Sequence, residues 1–330
     1  MKVFSKEFIK QFWKVIVATF MGFINDNGLK LSASLAYYTV FSIAPLLILV
    51  ISLISFFLGH DAINNSLYPQ IKGYVGSQAA AQIQEIIKNL QFSGKTGIAL
   101  ISGIIILLIG ASSIFVEIQG SLNIIWRVKA KPKRGWVKMV QNRFLSFSLI
   151  VSLGFLLLVS LVINIAVHAL SEKLAHFLAG ATVILLSAIN LAITLIVIAV
   201  LFGIIFKVLP DVKIKWRDVR TGAIFTAVLF VFGQYLIGLY IQYSAQASAY
   251  GAAGSIIVIL VWIYYTSAIL YIGAEFTQVY AEATGSHIEP AEYAVYVRQT
   301  EVESIVTQLP PQNPDLEGNL KSIQKNKPAQ

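Results

Sequence analysis

Cysteine is absent from the 330 residues, which excludes a disulfide framework, a thiolate metal site and a redox pair. Charge is scarce. Only 12% of residues are Asp, Glu, Lys or Arg, against roughly 25% in soluble domains, so too little polar surface exists to cover a water-soluble globule of this size. The four histidines, His60, His168, His176 and His287, are scattered, with no HExxH or HxHxDH spacing to hold a metal. A P-loop and a G-x-S-x-G elbow are also missing. The N-terminus does not read as a cleavable signal, because charges recur at Lys6, Glu7, Lys10 and Lys14 and no small-residue cleavage site follows.

What the chain has in abundance is apolar sequence, 57% of the total, with a mean hydropathy of +0.74. We read it as an all-α, polytopic transmembrane helical bundle. The organising stretch is Leu31 to Leu58, uncharged and long enough to cross the ~30 Å core of a bilayer with tilt. Its first half carries Ser34, Tyr37, Tyr38, Thr39 and Ser42, and Pro45 removes a backbone donor near its middle. Further spans are expected at about 97–116, 144–167 and 178–206. The interval 221–274 is too long for one helix and divides at 242–254, giving six spans.

Residues 1–30 read as an N-terminal interfacial amphipathic helix, its lysines repeating every four residues beside Phe8, Ile9, Phe12, Trp13, Ile16 and Phe20. The alternative is that 13–24 dips into the membrane. Residues 31–285 form the six-span domain. It includes a small extracytoplasmic helical cap within 59–95, where Ile83, Ile86, Ile87 and Leu90 share a side. Residues 286–330 are polar and proline-bearing, as expected of a disordered tail. With both termini cytoplasmic, 21 of the 25 Lys and Arg fall on the inner side. That asymmetry accounts for the net charge of +9 without a nucleic-acid partner; the expected partners are anionic inner-leaflet lipids and a small solute or lipid. No cofactor is expected, and a homo-oligomer is compatible with the sequence.

Ionisable groups inside spans are costly, so each is a functional candidate. Glu275 lies in the last turns of span six, and Glu117 closes span two beside Gln119 and Asn123. These two carboxylates, with Tyr37, Tyr38 and Lys207, fall at similar cytoplasm-proximal depth. Ser34, Tyr38, Ser42 and Pro45 share a helical face. Plainer readings stand beside this one. Glu117 could snorkel at the interface, and Glu275 could be a structural partner for Lys207, Arg127 or a tyrosine hydroxyl. Tyrosines near an interface often form an aromatic belt. Asn164, Asn190 and Gln234 suit interhelical glue, while Gly251, Gly254 and Ser255 suit close packing or a turn, or open a binding site. Asp211 and Asp218 flank a basic loop; they are weak evidence for a two-metal nuclease, and we read Asp218 as a cap of span five.

Three stretches together resemble the YihY/BrkB family of bacterial inner-membrane proteins, long labelled ribonuclease BN. They are 32–46 (SASLAYYTVFSIAPL), 111–126 (ASSIFVEIQGSLNIIW), and a set comprising Leu209-Pro210-Asp211, Lys213, Trp216, Gly222, Tyr250-Gly251, Gly254-Ser255, Trp262 and Gly273-Ala274-Glu275. The resemblance spans about 10–285. It implies six helical spans and, through envelope and serum-resistance phenotypes of members, export or lipid handling. The ribonuclease label finds no nuclease metal site in these residues. The resulting expectation is an inner-membrane transporter of an anionic or amphiphilic envelope-related solute, not an enzyme. Ser34, Tyr37, Tyr38, Ser42, Pro45, Glu117, Asn123, Lys207, Gly251, Gly254 and Glu275 are its cavity candidates. A structural scaffold is the alternative.

Overall fold

In lipid, every backbone polar group must be satisfied within the chain, so long apolar runs fold as helices. The computed structural model bears this out. It describes residues 6–42, 97–132, 181–244 and 251–298, Thr307 and part of 135–152, and these are mostly helical. The chain divides into two units, Met1–Val297 and Arg298–Gln330, and every described helix and strand belongs to the first. Helix α1 is Lys6–Asn25, α2 is described over 28–42, α3 is Gly97–Ile125, α4 is Ala181–Val208, α5 is Trp216–Ser244 and α6 is Gly251–Ala283. Short strands β1 (Val128–Ala130), β2 (Val212–Lys213), β3 (Glu289–Pro290) and β4 (Ala294–Tyr296) follow the helix ends.

Three segments among the described residues are long and apolar enough to cross a membrane: Leu191–Val208, Trp216–Ile237 and Ile259–Ala283. They fall on the expected spans four, five and six. Most of span three, the half of span one that holds Pro45, and the cap within 59–95 lie outside the described residues. Along α5 the large apolar side chains Ile224, Val228, Phe232 and Tyr235 are all exposed. Their spacing of three or four residues makes one outward stripe, as a helix facing lipid requires.

Helices α5 and α6 run antiparallel and interlock through small residues. Thr226 Oγ1 donates to the Gly222 carbonyl and Thr277 Oγ1 to the Gly273 carbonyl, each at 2.7 Å, so each hydroxyl is satisfied inside its own helix. The freed threonine then fills the notch of the opposite glycine. A Cβ on Gly222 would stand 1.8 Å from Thr277 Oγ1, and one on Gly273 would stand 1.9 Å from Thr226 Oγ1. Two turns further along, the Tyr265 hydroxyl occupies the corresponding place at Gly233. Small residues of this kind let membrane helices approach closely, where dispersion drives association.

Helix α1 packs on α6. Its inner side is Thr19, Gly22 and Phe23, and its exposed sector begins with Lys10 and Lys14 and ends with Val17, Met21 and Ile24. Phe276 of α6 joins the two contacts, stacking on Phe225 of α5 with centroids 3.8 Å apart and meeting Phe12 of α1 edge-on at 6.4 Å. On the α3 side, Trp126 is buried and its indole Nε1 donates to the Ala274 carbonyl at 3.1 Å.

The helix ends are stopped by specific turn chemistry. Asn27 (φ 56°) and Arg127 (φ 57°) adopt the left-handed conformation after α1 and α3. Helix α6 stops at Gly285 (φ 73°), where Ser286 N–H reaches the Ala281 carbonyl at 2.8 Å and Gly285 N–H the Glu282 carbonyl at 3.0 Å, a Schellman arrangement. The chain then pairs backward: β3 with β2 through Val212↔Pro290 and Lys213↔Glu289, and β4 with β1 through Val128↔Tyr296 and Ala130↔Ala294. Glu289–Pro290 and Ala294–Tyr296, within the stretch expected as a disordered tail, are therefore strands joined by a turn. Two or three residues of pairing leave no periodic signal in a sequence.

The interlock makes a direct prediction. Gly273→Ala should destabilise the detergent-solubilised protein by about 1–3 kcal/mol through overpacking, and adding Thr226→Ala should recover most of the loss in thermal melting. Strictly additive losses would show that the two helices do not interlock at this point.

Candidate functional site

Polar residues of α1, α2, α3, α6 and the α4–α5 turn form three groups. In the first, the turn after α1 presents Asp26 and the turn after α3 presents Arg127. Arg127 Nη2 lies 2.6 Å from Asp26 Oδ1, with the Asp26 side chain 4% exposed and that of Arg127 31% exposed. Glu275 of α6 is buried, with the Asp26 carboxyl and the Arg127 guanidinium as its charged neighbours. Gly22 makes the room, since a Cβ there would stand 2.6 Å from Glu275 Oε2. Glu275 Oε1 is buried with no hydrogen-bond partner among the described residues. Burial raises the Asp26 carboxyl above its ordinary range, while the Arg127 guanidinium opposes the shift.

The second group ties α3 to the turn between α4 and α5. Asp211 accepts from Gln119 Nε2 at 3.2 Å and from Asn123 Nδ2 at 2.8 Å, and its backbone N–H donates to Asn123 Oδ1 at 2.9 Å. The third consists of two rungs between α2 and α3. Ser34 Oγ donates to Glu117 Oε1 at 2.5 Å, and the hydroxyls of Ser42 and Ser113 meet at 2.6 Å. The expected Ser34, Ser42 and Glu117 are thus brought together on one helix pair, and Asn123 lies two turns from Glu117 on α3.

Other expected residues are placed elsewhere. Lys207 Nζ donates to the Ile214 carbonyl and lies 5.8 Å from the centre of the Trp216 ring, closing the α4–α5 turn. Tyr37 and Tyr38 are exposed; their rings pack edge-to-face at 5.7 Å, and Tyr37 also meets Phe41 at 4.8 Å. Gly251 and Gly254 lie in the first turns of α6, and Pro45 is outside the described residues. Asp218 is buried in the first turn of α5, where a carboxylate favours the helix dipole, and sits 3.5 Å from Arg217 Nε.

Asp26 and Gly22 are absent from the sequence-derived candidates. Asn25-Asp26-Asn27-Gly28 reads as a helix break, and the only hint of another role is an acid set among basic residues at a membrane edge. Asp211 reads as a loop charge, yet it is buried and bound by two amides.

The profile of the virulence factor BrkB family matches residues 19–294, a stretch that contains all three groups. Among curated proteins, a UPF0761 membrane protein of Pseudomonas aeruginosa (strain LESB58) is 28% identical over 256 residues, covering 76% of this chain and 59% of that protein. A UPF0761 membrane protein of Stenotrophomonas maltophilia (strain R551-3) is 28% identical over 283 residues, covering 83% and 63%. A Bacillus subtilis (strain 168) protein named ribonuclease-like protein YfkH is 27% identical over 253 residues, covering 76% and 88%. The chain thus spans less than two thirds of the length of the UPF0761 relatives named here. No solved structure matches it.

Removing Arg127 leaves Asp26 and Glu275 without their cation. Arg127→Ala should therefore cost about 2 kcal/mol, below the ~3–5 kcal/mol of a fully buried pair because Arg127 is partly solvated. The raised Asp26 carboxyl means that the folded state holds its proton more tightly than the unfolded chain. Stability should fall as pH rises through the folded-state value, and Asp26→Asn should flatten that limb of a melting-versus-pH series.

Proposed function

The chain belongs to the virulence factor BrkB family, and on that premise we propose that this integral membrane protein is a transporter, exporting an anionic or amphiphilic envelope-related solute across the bacterial inner membrane. The observation that carries the reading is Glu275. It is a carboxyl within a helix long and apolar enough to cross a membrane, buried, with one oxygen lacking a hydrogen-bond partner among the described residues. Such a group is costly to keep unless it is used. In this reading the solute enters from the cytoplasm along the polar side of α2 and α3, past Ser34, Ser42 and Glu117, and Arg127 supplies positive charge. Release of Asp26 from Arg127 frees the guanidinium for the solute as α1 leaves α6. Pro45 and the Gly251 and Gly254 region let the helices rearrange. Both termini lie in the cytoplasm, as the placement of basic residues favours.

A second reading, a structural scaffold of the envelope, is favoured by the mutual satisfaction of Ser34 with Glu117, Asn123 with Asp211 and Lys207 with the Ile214 carbonyl. The name of the Bacillus subtilis relative supplies a third, ribonuclease; the transporter reading assigns no such activity.

The absence of native cysteine makes accessibility scanning direct. Single cysteines at 34, 42 and 275 should be labelled by a water-soluble thiol reagent, and Glu275→Gln should reduce export and the associated envelope phenotype at least tenfold at unchanged protein level. Uniform protection with full export in Glu275→Gln would favour the scaffold. Metal-dependent RNA cleavage by the pure protein would favour the ribonuclease.

A further inference from the structure

Between α4 and α5, beside the turn that connects them, lies a groove of about 550 Å³, within the ~300–1,000 Å³ usual for small-molecule sites. Its floor is made by small residues, Ala199 and Gly203 of α4 against Ala223 of α5, and its walls by Ile196, Val200 and Ile224. A Cβ on Gly203 would meet Ala223 Cβ at 3.7 Å, an ordinary contact, so the floor is open rather than overpacked. Ile196 is 63% exposed and Ile224 51% exposed, which places the mouth of the groove on the side that faces lipid.

The groove changes character along its length. Ile196 stands eleven residues before Lys207, about 16 Å along α4, close to half the ~30 Å hydrocarbon core and hence to one leaflet. Over that length the lining is aliphatic. At the turn end it is closed by Trp216, Arg217 and Arg220. The two arginines lie three residues apart, on neighbouring positions of the same helix surface. Arg217 is positioned by a 3.1 Å bond from Nη2 to Ser286 Oγ and by Asp218 at 3.5 Å, while its side chain stays 62% exposed. Asp218 itself is buried, so it braces Arg217 without competing at the mouth. Trp216 is 61% exposed, an amphipathic ring where membrane proteins place their interfacial anchors.

We infer that this groove is a binding site for an anionic phospholipid, with one acyl chain along Ile196, Val200 and Ile224 and the headgroup phosphate between Arg217 and Arg220. Three features fit that occupant together: a one-leaflet apolar length, a lipid-facing mouth, and positive charge confined to the headgroup end. Basic pockets between membrane helices recognise anionic headgroups through this chemistry. The lining contains none of Asp26, Arg127, Glu117 and Glu275, so the site stands apart from the export reading and does not depend on it.

The test is native mass spectrometry of the full chain released from nanodiscs holding equal phosphatidylglycerol and phosphatidylcholine with identical acyl chains. Retained lipid should favour phosphatidylglycerol at least fivefold. Arg217→Gln with Arg220→Gln should bring the ratio near one, and Ala199→Phe, which fills the floor, should reduce retention of both lipids. If the double variant melts early, Arg220→Gln alone, at an exposed position, should lower the ratio about two- to threefold. Equal retention by the native chain, or an unchanged preference in Arg220→Gln, would overturn the proposal. So would displacement of phosphatidylglycerol by millimolar glycerol phosphate, which would mark a soluble-phosphate site. A dimer abolished by Ala199→Phe would overturn it as well, because a second copy would then occupy the groove.

Discussion

The rotation of α6 about its own axis is set by the two threonines lodged in two glycine notches, and the rest of the bundle end follows from it. Gly273 and Thr277 face α5. Glu275 lies midway between them in sequence, and at about 100° per residue it projects from the opposite side of the helix. The contact that turns one face of α6 toward α5 therefore turns the carboxyl toward α1, where Gly22 has no side chain to exclude it. The hydroxyls make no bond across the interface. Each donates to its own helix, so the contact is one of shape, and a bilayer, which offers no hydrophobic drive between helices, is the solvent in which shape matters most.

Electrostatics then gathers around that carboxyl. Arg127 comes from a left-handed turn and Asp26 from the residue before one, so neither charge depends on a mobile loop. The segment after α6 adds a backbone tie. Lys131 N–H donates to the Tyr293 carbonyl at 2.7 Å, Val297 N–H to the Arg127 carbonyl at 2.8 Å and Ala291 N–H to the Asp211 carbonyl at 2.9 Å. One short stretch thus closes on the turns that carry Arg127 and Asp211. The polar groups are joined by backbone as well as by side chains, which fixes their spacing more firmly than surface ion pairs could.

Part of this was legible in the sequence because membrane spans are written in composition. The three crossing segments stand out as long apolar runs with few charges, and Glu275 stands out as an acid near the end of one. Glu117 and Asn123 were recognisable for the same reason, as polar residues where apolar ones are the rule. Asp26 was not, because Asn-Asp-Asn-Gly carries the signature of a chain break, and nothing local tells a solvated turn from one folded under Arg127. The glycines at 222 and 273 were visible only as parts of a familial pattern. Their reason is steric and belongs to a pair of helices, so neither helix shows it alone. Lys207 and the two tyrosines were grouped with Glu275 by depth, and depth does not fix direction: the lysine turns to its own loop and the tyrosines turn outward.

The stop at Gly285 turns α6 into a ruler. Ten residues separate it from Glu275, about 15 Å of helix, and beyond it the chain pairs at once with the turns after α3 and α4. The buried carboxyl and the strand register are consequently marks on one scale. A residue gained or lost between them would turn the carboxyl by roughly 100° relative to the strands or shift their register, and could not satisfy both. Length in this stretch of the chain is held as tightly as residue identity.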